Sequence, residues 1–484
     1  MPNQPSISYE DQKKCLSAEY WLHWNDDEQA RIDEDIDKYR KADATESLSV
    51  AAGTPVTVKQ LTHDFKFGAH IFNFNQLGAH ELNEKYKALY GDLFNSATIA
   101  FYWRPFDPKE GQPRFEETET DTEEWWNACK NPKWQRFWRR PATDPVVDFC
   151  EKKHLRLHGH PLVWGNRTWQ YPDWLMAKLP HEILAEMLTD DRSGVSILEQ
   201  PLEDALKRLP KDFPETLERA IETRIRTIAE RYGTRVSSWD VCNESNGDFR
   251  QGRLVPGSRI CRAVYNAFMP GDYCHFAFQT AMKYLPECAK LNINEYHIGK
   301  EYADQAMDML ARGDRIDCMG FQMHRFNPQQ TLDIAAGAYD QSPEHVRSVW
   351  RDSYVPNMKT HLSEITITSP GGDEKGEAIQ AVVAKNLYRL WFSLEPMMGI
   401  TWWNVVDDCG APREPAISGL FHRDMTPKLS YFALEDLINH EWRTNLSLTA
   451  DANGAISFRG FKGSYLAEWR DAAGNTQTKK FDVL

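Results

Sequence analysis

The chain has 484 residues, 41 % of them hydrophobic, enough for one large cored domain with an appendage or for two to three smaller domains. Its 57 basic and 71 acidic residues leave a formal charge of −14, which argues against a nucleic-acid groove. No apolar run approaches the roughly 18 residues of a membrane span, and the nine cysteines show no Cys-x-x-Cys spacing that would mark a zinc ribbon or redox pair. Seventeen tryptophans exceed what a core alone calls for, and their flat faces suit sugar rings and other planar ligands.

Residues 1–45 read as a polar helical arm, with a charged helix over 26–41. From 46 to 62 the pattern alternates around Gly53 and Pro55, predicting short strands of an accessory unit. The first strand of the main domain is expected at 65–71 and the second at 96–102. An acidic run follows at 116–124, then an insertion over 125–140 with four tryptophans among basic residues. A helix over 145–153 leads to strand three at 155–163, and an aromatic loop, Trp169-Gln-Tyr-Pro-Asp-Trp174, follows it.

The stretch Ser238-Trp-Asp-Val-Cys-Asn-Glu-Ser245 organises the chain. Apolar residues at helical spacing run from Leu217 to Tyr232, Gly233 supplies a stop, and strand four at 236–242 ends on Asn243 and Glu244. Helix, glycine, strand and then a carboxylate is the order in which a βα-barrel delivers a reacting group at a strand's C-terminal end. A long loop is predicted at 246–272. Strands five, six, seven and eight are predicted at 291–297, 316–324, 360–367 and 399–405, with Glu364 in strand seven. Eight strands separated by helices, with no glycine-rich phosphate fingerprint after the first, predict a (β/α)8 barrel over 63–440 rather than an open sheet. Turn-rich strands over 441–484, with hairpin signals at Asn453-Gly454 and Gly474-Asn475, are expected to pack with 46–62.

Five motifs stand in order: Gly159-His-Pro-Leu-Val-Trp164, Trp239-Asp-Val-Cys-Asn-Glu244, Gly320-Phe-Gln-Met-His324, Ser363-Glu-Ile-Thr-Ile367 and Gly399-Ile-Thr-Trp-Trp403. Over residues 60–440 the chain resembles glycoside hydrolase family 10, the family of endo-β-1,4-xylanases. The resemblance implies a TIM barrel and hydrolysis with retention, with Glu244 as acid/base and Glu364 as nucleophile. His324 resembles the family residue that bonds the nucleophile and holds it ionised, and Gln322 is expected to support it. Asn243 is placed to bond a sugar 2-hydroxyl. His160, Trp164, Trp403, Tyr102 and Asn294 complete the expected substrate-binding set, whereas Glu295 reads as structural.

The sequence also departs from the family. Strand two reads Thr98-Ile-Ala-Phe-Tyr-Trp103 where the family carries a sugar-binding Asn and Lys, so Tyr102 or Trp103 fills that space. Gly165 stands for the usual histidine, and the segment Asp407-Asp-Cys-Gly-Ala-Pro-Arg413 lacks the usual tryptophan. The expectation is a hydrolase of β-1,4-linked polysaccharide, xylan first, needing no metal or cofactor. An exo-acting or differently specific β-glycosidase and a non-catalytic carbohydrate-binding barrel are the rivals. Family resemblance implies a secreted or periplasmic enzyme. The first residues lack a signal peptide's apolar core, which fits either a cytoplasmic chain or one whose signal has been removed.

Overall fold

The computed structural model describes residues 5–190, 207–250 and 254–484. Eight strands pair in parallel: β1 (Lys66–His70), β2 (Ser96–Ala100), β3 (Arg156–His160), β4 (Ser238–Asn243), β5 (Lys290–Glu295), β6 (Cys318–Arg325), β7 (Lys359–Ile367) and β8 (Met397–Trp402). β8 returns to β1 in register from Gly399↔Lys66 to Trp402↔Ala69, so these eight strands close into a ring, and the short strand Val163–Trp164 adds to β4 on one side only. Helices such as Phe213–Tyr232 and Glu374–Ser393 run between the strands and cover the outside, completing a (β/α)8 barrel. All eight strands fall where the sequence pattern puts them, with ends shifted by up to three residues.

Both faces of these strands are buried, which explains why they read as continuous runs instead of alternating ones. At β3 the barrel tolerates only glycine, because a Cβ on Gly159 would lie 2.2 Å from the ring of Trp239. On the helix Phe213–Tyr232, the buried Arg224 donates Nε to Leu162 O (2.9 Å) and Nη2 to Pro161 O (3.1 Å) and Phe101 O. One side chain thereby ties together the loops that follow β2 and β3.

The barrel interior is polar in places, and each buried polar group there needs a partner. Asp240 Oδ2 lies 2.8 Å from His160 Nδ1 and 2.9 Å from His158 Nε2, while His158 Nδ1 meets Ser238 Oγ at 2.9 Å. Burial alone would raise the Asp240 carboxyl, but the two imidazoles outweigh it and hold it well below the usual carboxylate range. A depressed carboxylate pKa contributes stability above the unfolded value, and that contribution is lost as pH falls below about 4. Asp240→Asn is therefore expected to cost about 3 kcal/mol in urea unfolding at neutral pH. The deficit relative to wild type should narrow on acidification; a pH-independent deficit would mean that packing, not charge, is what the substitution removes.

The terminal segments sit outside the barrel. The helix Asp26–Arg40 buries Ile32 and Ile36, and Arg40 donates Nε to Phe392 O at 2.5 Å. The strand Lys41–Ser47 follows directly, starting earlier than the alternation at 46 suggested, and pairs with Ala455–Phe461. Pro55–Gln60 lies between Asn445–Thr449 and Gly463–Arg470, and Thr476–Val483 adds the outer strand. Leu48, Val56, Val58, Ile456, Tyr465, Ala467 and Val483 form a small core of their own.

Two expectations from the sequence need correction here. The turn at Asn453-Gly454 forms, with Gly454 N donating to Asp451 O, but it joins strands that pair with different partners and so is not a hairpin. Residues 246–272 hold more than a loop: the helix Asn246–Arg250 and a short antiparallel pair, Cys261–Arg262 with Phe268–Met269. Residues 251–253 of that stretch lie outside the described residues. None of the nine cysteines forms a disulfide. Among the described residues no helix is long and apolar enough to cross a membrane.

Candidate active site

At the C-terminal mouth of the barrel lies a cleft of about 430 Å³, lined among others by Glu244, Glu364, Asn243, His160, Gln322 and His324. Glu244 is the first residue past β4. Its φ of +55° lies in the left-handed region, which a non-glycine residue enters at a cost of about 1–2 kcal/mol. The turn is held because Glu244 N donates to Asn294 O at 2.8 Å. Glu364 sits within β7, opposite Gln322 of β6 across an irregularity in the register.

The two carboxyl groups are linked by three amides. Asn294 Nδ2 donates to Glu364 Oε1 (2.7 Å) and to Asn243 Oδ1 (2.8 Å), and Gln322 Nε2 donates to Glu244 Oε1 (3.1 Å) and lies 3.4 Å from Asn243 Oδ1. The register explains the chain of contacts, since Asn243 pairs with Asn294 across β4 and β5. His324 Nε2 reaches Glu364 Oε2 at 3.0 Å, and Thr366 Oγ1 holds its Nδ1 at 2.9 Å. Gln322, expected from the sequence to support His324, donates to Glu244, and the β6–β7 register is irregular at this point, between Phe321 and Gln322.

Burial raises the Glu244 carboxyl above its ordinary value, and the nearby charge of Glu364 raises it further. Tyr265 Oη at 2.6 Å, Gln322 Nε2 and the charge of His160 oppose the rise, and Trp164 Nε1 also donates to the carboxyl at 3.1 Å. Tyr265 comes from the stretch between β4 and β5, in no motif, and nothing in the sequence singled it out. Removing its hydroxyl deletes a bond that favours the ionised acid, so Tyr265→Phe is expected to shift the alkaline limb of the pH–rate profile upward. An unmoved limb in the pH dependence of kcat/KM would show that this bond does not tune the acid.

His160 is buried and held to Asp240, with Nε2 3.8 Å from Glu364 Oε1. Burial works against its protonation, but the Glu364 and Asp240 charges prevail and raise its pKa. Trp403 packs edge-on against His70, Phe72, His160 and His324, and its Nε1 donates to Glu414 at 3.0 Å. Tyr102 fills the space at the end of β2, packed against Phe72, Trp164 and Trp169, whereas Trp103 turns into the core and bonds Asp107. At Gly165 a Cβ would meet Ala263 at 2.7 Å, so the close approach of the 261–269 segment leaves no room there for a larger side chain.

Glu295 accepts from the backbone N–H groups of Asn246, Tyr296 and His297, anchoring the loops after β4 and β5. Of the tryptophan-rich insertion, Trp125 and Trp126 pack with Phe137 and Arg139 away from the cleft. Arg140 is its one residue among those lining the cleft, joined there by Trp169, Tyr265, Tyr296, Phe326 and Glu414, none of which the sequence reading had placed in the site.

A profile of glycosyl hydrolase family 10 matches residues 115–437. Endo-1,4-beta-xylanase A of Halalkalibacterium halodurans is 30 % identical over 282 residues, covering 56 % of this chain and 63 % of that protein. Endo-1,4-beta-xylanase C of Paenibacillus barcinonensis is 23 % identical over 434 residues, covering 82 % of this chain and 33 % of that protein. The chain thus spans less than two thirds of either relative. Among solved structures, xylanase 10B of Thermotoga maritima superimposes with a TM-score of 0.50 at 19 % identity, over 78 % of this chain and 96 % of that one. Xylanase B of Clostridium stercorarium F9 gives 0.50 at 20 % identity, over 77 % and 97 %. Those likenesses carry the barrel, the profile covers most of the chain, and the chain belongs to glycosyl hydrolase family 10.

Proposed function

We propose that the protein is a retaining β-glycoside hydrolase that cleaves β-1,4-linked polysaccharide, xylan foremost, from within the chain. Supporting this is one observation above all: two carboxyl groups from strands distant in sequence line a single cleft and are joined by a run of amides, with Glu364 raising the pKa of Glu244. Such a pair divides into an acid that keeps its proton and a partner that is free to attack.

In the first step the Glu364 carboxylate attacks the anomeric carbon while Glu244 gives its proton to the leaving oxygen. The glycosidic C–O bond breaks and a glycosyl ester forms on Glu364. In the second step Glu244, now ionised, takes a proton from water, and the water oxygen displaces Glu364 from the sugar. Asn294 and His324 fix the attacking carboxylate, Gln322, Trp164 and Tyr265 fix the acid, and Asn243 faces the sugar beside it. Trp403, Trp164 and Tyr102 offer the aromatic faces on which pyranose rings stack. A polymeric substrate fits a secreted or periplasmic setting.

The test is the release of reducing ends from a panel of β-1,4-linked polysaccharides, with product lengths followed over time. Early long oligomers from xylan are the expected result. Monomers or dimers alone from the outset would overturn internal cleavage, and no release from any polymer would overturn the hydrolase reading.

A further inference from the structure

Arg140 is 6 % exposed, and its guanidinium carbon stands 4.6 Å from the centre of the Phe72 ring and 4.7 Å from that of Trp138. Two aromatic rings therefore hold the group in place. The segment that carries it is pinned as well, since the buried Asp121 takes Arg114 at 2.6 Å and Arg139 at 2.7 Å, and Gln76 Nε2 donates to Arg139 O at 2.8 Å. Arg140 lines the same cleft as Glu244 and Glu364.

Its bonding is incomplete. Nη1 is buried and has no hydrogen-bond partner among the described residues. The acid nearest in effect is Glu414, which acts on Arg140 through its field without a hydrogen bond. Glu414 is already occupied: Trp403 Nε1 donates to Oε1 at 3.0 Å, and Asn404 Nδ2 and Ala411 N donate to Oε2 at 2.7 and 2.9 Å. A cation taken out of water without a bonded counter-charge is poorly stabilised, so a ligand that supplies the missing acceptors gains more from this group than from an exposed arginine. A planar, pre-oriented guanidinium fits a carboxylate or sulfate with two parallel bonds, a match that neutral hydroxyls do not offer.

We propose that Arg140 is a specificity-determining residue that receives an anionic substituent, a carboxylate or a sulfate ester, carried by the glycan bound in this cleft. The inference deepens the hydrolase reading and rests on it for the identity of the cleft. Repulsion from Glu364 and from Glu414 sets a limit, because the anionic group must sit on the Arg140 side of the sugar and away from the reacting carbon.

The test uses the full chain carrying Glu364→Ala, which binds without turning over, and calorimetric titration with three probes. These are a neutral β-1,4-xylo-oligosaccharide, the same oligosaccharide bearing a glucuronic acid, and the same oligosaccharide bearing a sulfate ester. At least one acidic probe is expected to bind tenfold or more tightly than the neutral one, and the two acidic arms distinguish carboxylate from sulfate. Adding Arg140→Gln should weaken the acidic probe at least tenfold more than the neutral one, and Arg140→Lys should fall between. Equal affinity for acidic and neutral probes, or equal losses for both in Arg140→Gln, would overturn the proposal. If Arg140→Gln does not fold, the comparison of probes on Glu364→Ala and the Arg140→Lys variant still decide it. Hydrolysis by the wild-type chain is read separately, so a failed hydrolase reading shows as absent turnover whatever the calorimetry gives.

Discussion

Glu364→Ala is expected to lower kcat on an aryl β-xyloside by roughly ten-thousandfold or more, with KM moving far less, because it removes the carboxylate proposed to bond to the sugar in the transition state. The measurement is steady-state kinetics beside wild type, with a thermal melt to show that the barrel persists. Persistence is expected, since the neighbours of Glu364 hold one another: Asn294 keeps Asn243, and His324 keeps Thr366. A second readout follows from the electrostatics. The charge of Glu364 helps to raise the Glu244 carboxyl, so the variant should let Glu244 titrate at lower pH. Equal and negligible rates in variant and wild type would instead favour a carbohydrate-binding barrel without turnover.

Glu244→Ala is expected to lose about 100- to 10,000-fold, and the loss should depend on the leaving group. A nitrophenolate departs without a proton, so the first step survives on such substrates, while xylan, whose leaving group is an alkoxide, suffers most. The pH profile carries the sign. In the proposed mechanism Glu244 works as an acid only while protonated, and its pKa lies above the ordinary carboxyl value because of burial and Glu364. Wild-type activity therefore falls as pH rises through that raised value. In Glu244→Ala this alkaline limb should vanish. An alkaline limb that survives unchanged would assign the proton to another group.

The barrel was legible in the sequence because buried parallel strands announce themselves as short apolar runs that end in polar residues. Asn243 at the end of β4, with Glu244 just past it, is an example, and five motifs in fixed order single out the family. The partners of those carboxyl groups were less legible. Gln322 was expected to support His324, yet it donates to Glu244, beside the register shift at Phe321/Gln322 that an apolar–polar pattern does not reveal. Tyr265, Glu414 and Arg140 come from connecting segments, where position depends on chain path and not on period. Arg140 follows the last of four tryptophans in a stretch with no regular pattern, and only the fold shows that it alone of that cluster's cations reaches the cleft wall. The Asn453-Gly454 turn misled for a related reason, since a turn dipeptide specifies a reversal of the chain but not which strands then pair.

Stereochemistry at the reacting carbon gives the most direct test. Proton NMR of xylan, or of a xylo-oligosaccharide, recorded in the first minutes after enzyme is added, resolves the anomer released before mutarotation mixes the two. Double displacement through Glu364 with Glu244 as acid and base predicts that the β-anomer appears first and the α-anomer grows only later. Initial release of the α-anomer would mean a single displacement by water, and Glu364 would not be the nucleophile.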